Sequence, residues 1–480
     1  MSSLYPKKIY ITTTLPYVNA DPHVGFALEI VQADIVARFY KLMGSEVFFN
    51  TGTDEHGLKI WEKAKEEGKD PKAYVDEYAE KFRRLKKPLG LLEDIHFIRT
   101  TDEHHVKAAQ EFWVRCREAG DIYMKNYKIK YCVGCELEKT ESELSNGRCL
   151  IHPNLIIKII DEENYFFKLS KYQDKLLALY DARKDFVVPD FRLNEIRSLI
   201  REKGLEDFSI SRLKAKMPWG VPVPGDESQV EYVWFEAFVN YVSAIGWPDD
   251  FKKFNTWWPV IQFAGKDQVR QQAVMWQAML MSAGLPPSKQ IVIHGFITSG
   301  GQKMSKSLGN VISPFEIVEE YGTDALRYYL ARHIHPFEDS DFTMEKFKEV
   351  YNANLANGIG NLASRIMKLA ETHLDACPKI PENTIPKTWK DALESYDIKK
   401  AADIVWEEIG KIDSSIQNSR PFEVVKKDKE KGKEIISDLV VKLYKVAQML
   451  TPILPETMEK IKSMVRENKM PEKPLFPRKE

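Results

Sequence analysis

Strand–helix–strand alternation, written in two separated pieces, constrains this chain of 480 residues more than any other feature. In the first piece, Lys8–Leu15 is a β-branched run that ends at Pro16, and Leu28–Leu42 has a helical period that stops at Gly44. Glu46–Asn50 reads as a second strand and Pro71–Lys87 as an amphipathic helix. That order predicts a parallel sheet with right-handed crossovers. From about Tyr123 the pattern breaks: Lys125–Pro153 collects cysteines, short strands and the hairpin-type pair Asn146-Gly147. Met217–Gly225, dense in Pro and Gly, reads as a boundary. Beyond it Val230–Trp234, Asp267–Ala283 and Gln290–Ile297 restore strand, helix and strand. One α/β domain interrupted by an insertion accounts for both pieces.

After Pro314 the apolar spacing is helical throughout, with Asn354–Leu374, Ile398–Gln417 and Lys433–Leu450 as the strongest segments. The expected fold is therefore α/β: a Rossmann-type parallel sheet split by an insertion and followed by an α-helical bundle. The expected boundaries are 1–119 and 229–296 for the sheet domain, 120–228 for the insertion, 297–353 for a connector and 354–480 for the bundle.

Composition narrows the class. Lys+Arg number 70 against 71 Asp+Glu, and 43% of residues are hydrophobic, a balance that excludes a disordered chain. No apolar run approaches the roughly 18–20 residues of a bilayer crossing, and the first residues lack the apolar core of a signal peptide. Five cysteines are too few for a disulfide scaffold, so a reduced, cytoplasmic setting is expected. Near-neutrality leaves a nucleic-acid partner open, since net charge hides local distribution.

Three constellations carry chemistry. Asp21-Pro22-His23-Val24-Gly25-Phe26 lies between the first strand and the first long helix, where free N–H groups and the helix dipole favour phosphate. Gly300-Gly301-Gln302-Lys303-Met304-Ser305-Lys306-Ser307 is a donor-rich cationic loop able to close on a polyphosphate. Cys132-Val-Gly-Cys135 and Cys149-Leu-Ile-His152, separated by 13 residues, suit a closed tetrahedral Cys₃His zinc site, structural rather than catalytic.

The first two motifs, 280 residues apart, resemble the HIGH and KMSKS signatures of the class I aminoacyl-tRNA synthetases. Further stretches narrow the resemblance to the methionyl-tRNA synthetase family, in a short form with one zinc knuckle. They are Thr14-Leu15-Pro16-Tyr17-Val18-Asn19, Gly52-Thr53-Asp54-Glu55-His56-Gly57, Tyr232-Val233-Trp234-Phe235-Glu236-Ala237, Gly265-Lys266-Asp267 and His294-Gly295-Phe296. The resemblance implies a methionine–tRNA ligase that uses ATP, with Mg²⁺ on the phosphates, L-methionine and tRNA(Met), and one structural Zn²⁺. It implies phosphate contacts from His23 and Gly25, transition-state charge from Lys303 and Lys306, and adenosine contacts from Gly265, Asp267 and His294. Asp54 is implied to hold the amino acid's ammonium group. Leu15, Tyr17, Trp234, Ala237, Tyr241 and Trp276 are implied to wall the methionine pocket, though core packing is an alternative for any one of them. In the bundle, Asn361 and Arg365, at i and i+4, and Phe422 match anticodon readers. A monomer is expected.

The chain departs from the family pattern at Phe26, which replaces the second His of HIGH, at Gln268, Gln271 and Gln272, where an apolar residue, an aromatic and a histidine are expected, and at Phe422, which stands where the family usually has Trp. These departures leave open a synthetase of shifted amino acid specificity and a non-catalytic tRNA-binding relative.

Overall fold

β-Branched and aromatic residues with both faces covered make the centre of the sheet. In β1 (Lys8–Thr12), Ile9 and Ile11 join one buried cluster and Tyr10 joins the cluster on the opposite face. The computed structural model describes residues 5–19, 21–135, 137–139, 143–304, 310–381 and 385–480. With β2 (Glu46–Thr53), β3 (His96–Arg99), β4 (Val187–Val188), β5 (Val260–Gly265) and β6 (Gln290–His294), β1 forms a six-stranded sheet in the order β3-β2-β1-β5-β6-β4, every pair parallel. The strand order reverses between β1 and β5, the switch point at which open α/β sheets take ligands. The Rossmann-type architecture expected from sequence is present.

Details of the sheet differ from the sequence reading. β5, between Pro259 and the turn at Lys266, was hidden in a short apolar run, yet it lies at the centre of the sheet with all six residues buried. β4 comes from within 120–228, so that stretch contributes an edge strand to the central sheet. Val230–Trp234 divides into the end of a strand, Asp226–Glu231, and a single helical turn, Val233–Glu236. Asp267–Ala283 is not one α-helix: a tight turn at Lys266–Gln268 and wide, π-type turns at Gln271–Met275 precede the regular helix Trp276–Ser282.

Within 120–228 the main feature is a long antiparallel pair, Ile122–Cys132 with Lys158–Phe167. The expected hairpin turn is present near its tip: Asn146 and Gly147 both have positive φ, 51° and 73°, and join Leu144–Ser145 to Arg148–Cys149. In the last third, Asn361–His373, Ile398–Ser419, Lys429–Leu450 and Pro455–Glu467 pack as a helical bundle. The first of these is preceded by wide turns at Tyr351–Gly360 with a kink at Gly358. Among the described residues no helix is long and apolar enough to cross a membrane.

Helix α1 (Val24–Leu42) is buried nearly all round and carries two acidic side chains, Glu29 and Asp34, into the interior. Asp34 accepts from Arg327 (2.7 Å), from Arg38 (2.7 Å) and from the Leu92 N–H (2.8 Å). Arg327, on the helix Thr323–Arg332, is itself fully buried and also donates to the carbonyls of Leu89, Pro452 and Ile453. One guanidinium thus ties the sheet domain to the loop between the last two bundle helices. Removing one member of such a pair strands a charge in a low-dielectric interior. Arg327→Met is expected to lower unfolding stability by about 3–5 kcal/mol in chemical denaturation. The double variant with Asp34→Leu should recover part of that loss.

Candidate active site

Two cavities open at the C-terminal ends of β1, β5 and β6. The first, of about 280 Å³, is lined by His23, Gly25, Phe26, Glu29, Gly265, Asp267, Gln268, His294 and Met304 among others. It forms where it does because α1 begins there. His23 is the N-cap, in extended conformation, and its Nδ1 accepts the Gly25 N–H at 3.0 Å. The imidazole lies so close over residue 25 that a Cβ there would come within 2.8 Å of His23 Cε1. Glycine is therefore required if the ring is to cap the helix and stay at its N-terminus. Phe26, in place of the family's second His, lines the cavity and is fixed edge-on against Phe82, with centroids 5.2 Å apart.

Across the cavity, His294 at the end of β6 donates from Nε2 to Glu29 (2.9 Å) and from Nδ1 to the Gly295 carbonyl (2.7 Å). Glu29 also accepts from the Thr14 N–H (2.7 Å) and hydroxyl (2.6 Å). Burial works against the charged imidazole, but the Glu29 carboxylate and the Gly295 carbonyl outweigh it and hold the pKa of His294 above the ordinary histidine range.

The cationic loop rises from the rim of this cavity. Gln302–Lys303 pairs antiparallel with Ile297–Ser299, and Asp341 accepts from the Gly301 N–H (2.8 Å) and the Thr298 hydroxyl (2.7 Å). Those bonds keep the Asp341 carboxyl below its usual range. The backbone places Lys303 at the start of the loop; Lys306 lies outside the described residues.

The second cavity, of about 330 Å³, adjoins the first at Gln268, which lines both. Leu15, Tyr17, Asp54, Trp234, Ala237 and Tyr241 all line it. Trp276 does not: it is fully buried behind the wall, stacked on Phe112 with centroids 5.6 Å apart and edge-on to Tyr241 at 5.7 Å. Asp54 is not the cap of the following helix, which runs Leu58–Glu66 behind Gly57. Instead Asp54 bridges to Tyr17, its N–H donating to the Pro16 carbonyl at 3.0 Å. Sequence reasoning missed Lys59, Phe238 and Asn240 in this lining, and also Gly134 and Cys135.

Those last two belong to the cysteine knuckle, which therefore borders the amino-acid-sized cavity. Cys132, Cys135, Cys149 and His152 offer donor atoms that all lie within 4.8 Å of one another. His152 Nδ1 is 3.2 Å from the Cys135 sulfur and 3.9 Å from that of Cys132, and the Cys135 and Cys149 sulfurs are 3.5 Å apart. Tetrahedral zinc with sulfur ligands at about 2.3 Å requires donor separations of roughly this size, so the residues fit the metal. Gly134 belongs to the same fit, because a Cβ there would meet His152 Cγ at 2.6 Å.

In the bundle, Asn361 is exposed at the start of its helix, and Arg365, one turn on, is held by Asp413 at 2.6 Å. Phe422, in the short helix Pro421–Lys427, leaves 44% of its surface open to solvent. Other motif residues serve the scaffold. Glu55 receives Arg99 in bidentate fashion (2.7 and 2.8 Å), and buried Glu236 joins His56 (3.1 Å) to His105 (3.0 Å).

The His294–Glu29 pair has a sign that can be tested. A histidine whose folded pKa is raised contributes stability that is complete below its unfolded value of about 6.5 and is lost as pH rises through the folded value. Glu29→Gln should therefore destabilise the protein most below pH 6.5, by about 1.5–3 kcal/mol, with the gap to the native chain narrowing as pH rises. Denaturation midpoints measured across pH 5–9 would check it.

A family model described as tRNA synthetases class I (M) matches residues 9–149 and 134–367. A methionine–tRNA ligase from Thermotoga maritima is 42% identical over 97% of this chain and 76% of its own length. One from Nostoc is 40% identical over 95% and 89%. The Mycobacterium tuberculosis methionyl-tRNA synthetase in complex with methionyl-adenylate superposes with a TM-score of 0.91 at 34% identity, covering 98% of this chain and 100% of that one. The apo form of the same enzyme gives a TM-score of 0.83 at 31% identity. With two cavities meeting at the switch point of its sheet and relatives of this similarity along nearly its whole length, the chain belongs to the methionine–tRNA ligase family of class I aminoacyl-tRNA synthetases.

Proposed function

We propose that the two cavities work as one active site, with ATP in the first and L-methionine in the second. The observation that carries this reading is their junction at Gln268, which brings the phosphate-binding helix terminus and the amino-acid cavity side by side. His23 and Gly25 hold the phosphates at the N-terminus of α1, and Gly265, Asp267 and His294 hold the adenosine. Asp54 takes the substrate ammonium group, while Leu15, Tyr17, Trp234, Ala237 and Tyr241 enclose its side chain; Trp276 supports that wall from behind. The substrate carboxylate attacks the α-phosphorus in line, forming methionyl-adenylate and releasing pyrophosphate. Lys303 and Lys306 stabilise the charge that develops, and Mg²⁺ accompanies the phosphates. Neither this step nor transfer to the tRNA 3′ end requires a protein nucleophile; positioning and electrostatics suffice.

Asn361, Arg365 and Phe422 are assigned to the anticodon of tRNA(Met), the first two by hydrogen bonds and the last by stacking on a splayed base. Zn²⁺ on Cys132, Cys135, Cys149 and His152 is assigned a structural role, since four protein ligands leave no open position. Cysteines that form no disulfide suit a reducing compartment, the cytoplasm, and a monomer suffices because one chain carries both cavities and the bundle.

Amino-acid-dependent ATP–pyrophosphate exchange across the twenty amino acids tests the assignment. Exchange with methionine alone is expected. Exchange with a different amino acid, or with none, overturns it. Stripping the metal with a chelator should loosen the knuckle that borders the amino-acid cavity. The expected result is a KM for methionine raised roughly tenfold, about 1.4 kcal/mol, against a smaller change in the KM for ATP. Equal changes in both would show that the knuckle does not shape the methionine cavity.

A further inference from the structure

A cavity of about 320 Å³, nearly as large as the amino-acid cavity, lies outside the site described above. It opens where the helix Leu58–Glu66 meets the insertion, with Tyr131 and Lys158 of the long antiparallel pair on one side and Arg212, Lys216 and Met217 on another. Among the described residues it shares no lining with the two active-site cavities. It is close to them all the same: Leu58 lines it, and the next residue, Lys59, lines the amino-acid cavity. Three kinds of surface meet there. Trp61, the buried ring of Tyr131, Leu58 and Met217 form an aromatic and apolar slot. The Arg212 guanidinium backs that tyrosine, 5.4 Å from the ring centroid, and its Nη1 donates to the Ser209 hydroxyl (2.8 Å) and the Ser211 carbonyl (2.7 Å). Glu162 adds a carboxylate whose side chain is only 3% exposed. Its two hydrogen bonds among the described residues, from the Leu213 N–H and from Lys216 Nζ, are both 3.5 Å long. A carboxylate has about four lone-pair sites and prefers N–H donors near 2.9 Å, so Glu162 keeps acceptor capacity in the cavity wall. At the rim, Lys158 and Lys216 are more than half exposed, and Lys158 meets Glu62 at 2.9 Å.

Charge narrows what fits. Three cations against two carboxylates leave the lining with one excess positive charge, which disfavours a simple organic cation. A wholly apolar ligand leaves Glu162 unanswered in a nearly dry wall. A flat group that carries an amino hydrogen and is joined to an anion answers every surface. We infer that this cavity binds a nucleotide whose base bears an exocyclic amino group, as cytosine and adenine do. The base stacks against Trp61 and Tyr131, its amino group donates to Glu162, and its phosphate lies against Lys158 and Lys216. Uracil fits poorly, since its one ring N–H lies between two carbonyls that a carboxylate repels. A free nucleotide and a residue in the single-stranded 3′ end of tRNA share this chemistry. The inference goes beyond the active-site reading: it assigns a second nucleotide site, at the joint between the insertion and the helix that follows Asp54.

CMP and UMP, which match in size and phosphate and differ in that amino group, are the probes. Titration calorimetry on the full chain is expected to show CMP binding roughly tenfold more tightly than UMP. Trp61→Leu removes a stacking face and should weaken CMP roughly tenfold, while Glu162→Gln should bring CMP and UMP to within about threefold of each other. Neither residue lines an active-site cavity, so unchanged ATP–pyrophosphate exchange shows that each variant is folded. The comparison of CMP with UMP on the native chain needs no variant and stands if one of them fails to fold. Charging of tRNA(Met) then separates the two sources. A roughly tenfold loss of kcat/KM for tRNA in both variants, with exchange unchanged, identifies the tRNA 3′ end. Unchanged charging alongside the expected CMP effects identifies a free nucleotide. CMP binding that is absent, equal to that of UMP, or unaltered in both variants overturns the inference. Absence of methionine-dependent exchange in the native chain bears on the methionine reading and leaves this cavity untouched.

Discussion

A buried ion pair between Asp34 and Arg327 is the constraint on which the remaining geometry depends. α1 can be buried nearly all round, with carboxylates at positions 29 and 34, only because each carboxylate meets fixed partners. Arg327 satisfies one and spends its remaining donors on carbonyls from the loop after Lys87 and from the bundle. His294 and Thr14 satisfy the other. The axis of α1 is therefore set both by the bundle, through Arg327, and by the sheet, through His294 and Thr14, and with it the position of His23 and Gly25 at the switch point. Buried pairs of this kind add little net stability compared with apolar packing, but they tolerate few alternative arrangements.

The active-site region is built from two kinds of polar residue that look alike in a sequence. His23, Asp54 and Tyr241 face cavities, whereas Glu55, His56, His105 and Glu236 are consumed inside the scaffold. The second group holds the end of β2 against the Val233–Glu236 turn and the helix Glu103–Glu118, so the segments that carry Asp54, Trp234 and Ala237 stay in register. A motif such as Gly52-Thr53-Asp54-Glu55-His56-Gly57 thus contains a cavity-facing residue beside two whose work is entirely internal.

A line of hydrogen bonds from Ser288 through Gln277, Gln262 and Gln272 to Tyr241 follows the same logic at a finer scale. Each amide and hydroxyl in it has donors and acceptors that must be matched in the absence of water, so one backbone N–H propagates a direction across four side chains. The wide turns at Gln271–Met275 lie within this region and present Gln272 to the cavity.

Local pattern alone determined the two-piece α/β domain, the helical last third and the metal quartet, because each rests on periodicity or spacing within short stretches. Apolar period places a strand within Lys8–Leu15 and a helix over Leu28–Leu42 without reference to anything distant, and a Cys-x-x-Cys pair has its geometry built into four residues. Tertiary structure alone decided what required distant parts to meet. β5, six residues with no alternation, became the centre of the sheet by pairing with β1 some 250 residues away. A two-residue edge strand, β4, was too short to carry any period. Trp276 matched a pocket position yet lies behind the wall, and Cys135 matched a metal ligand yet also borders a cavity. Sequence shows what a side chain is able to bond; only the fold decides which partner comes within hydrogen-bond reach, because such a bond fades steeply with distance and misalignment.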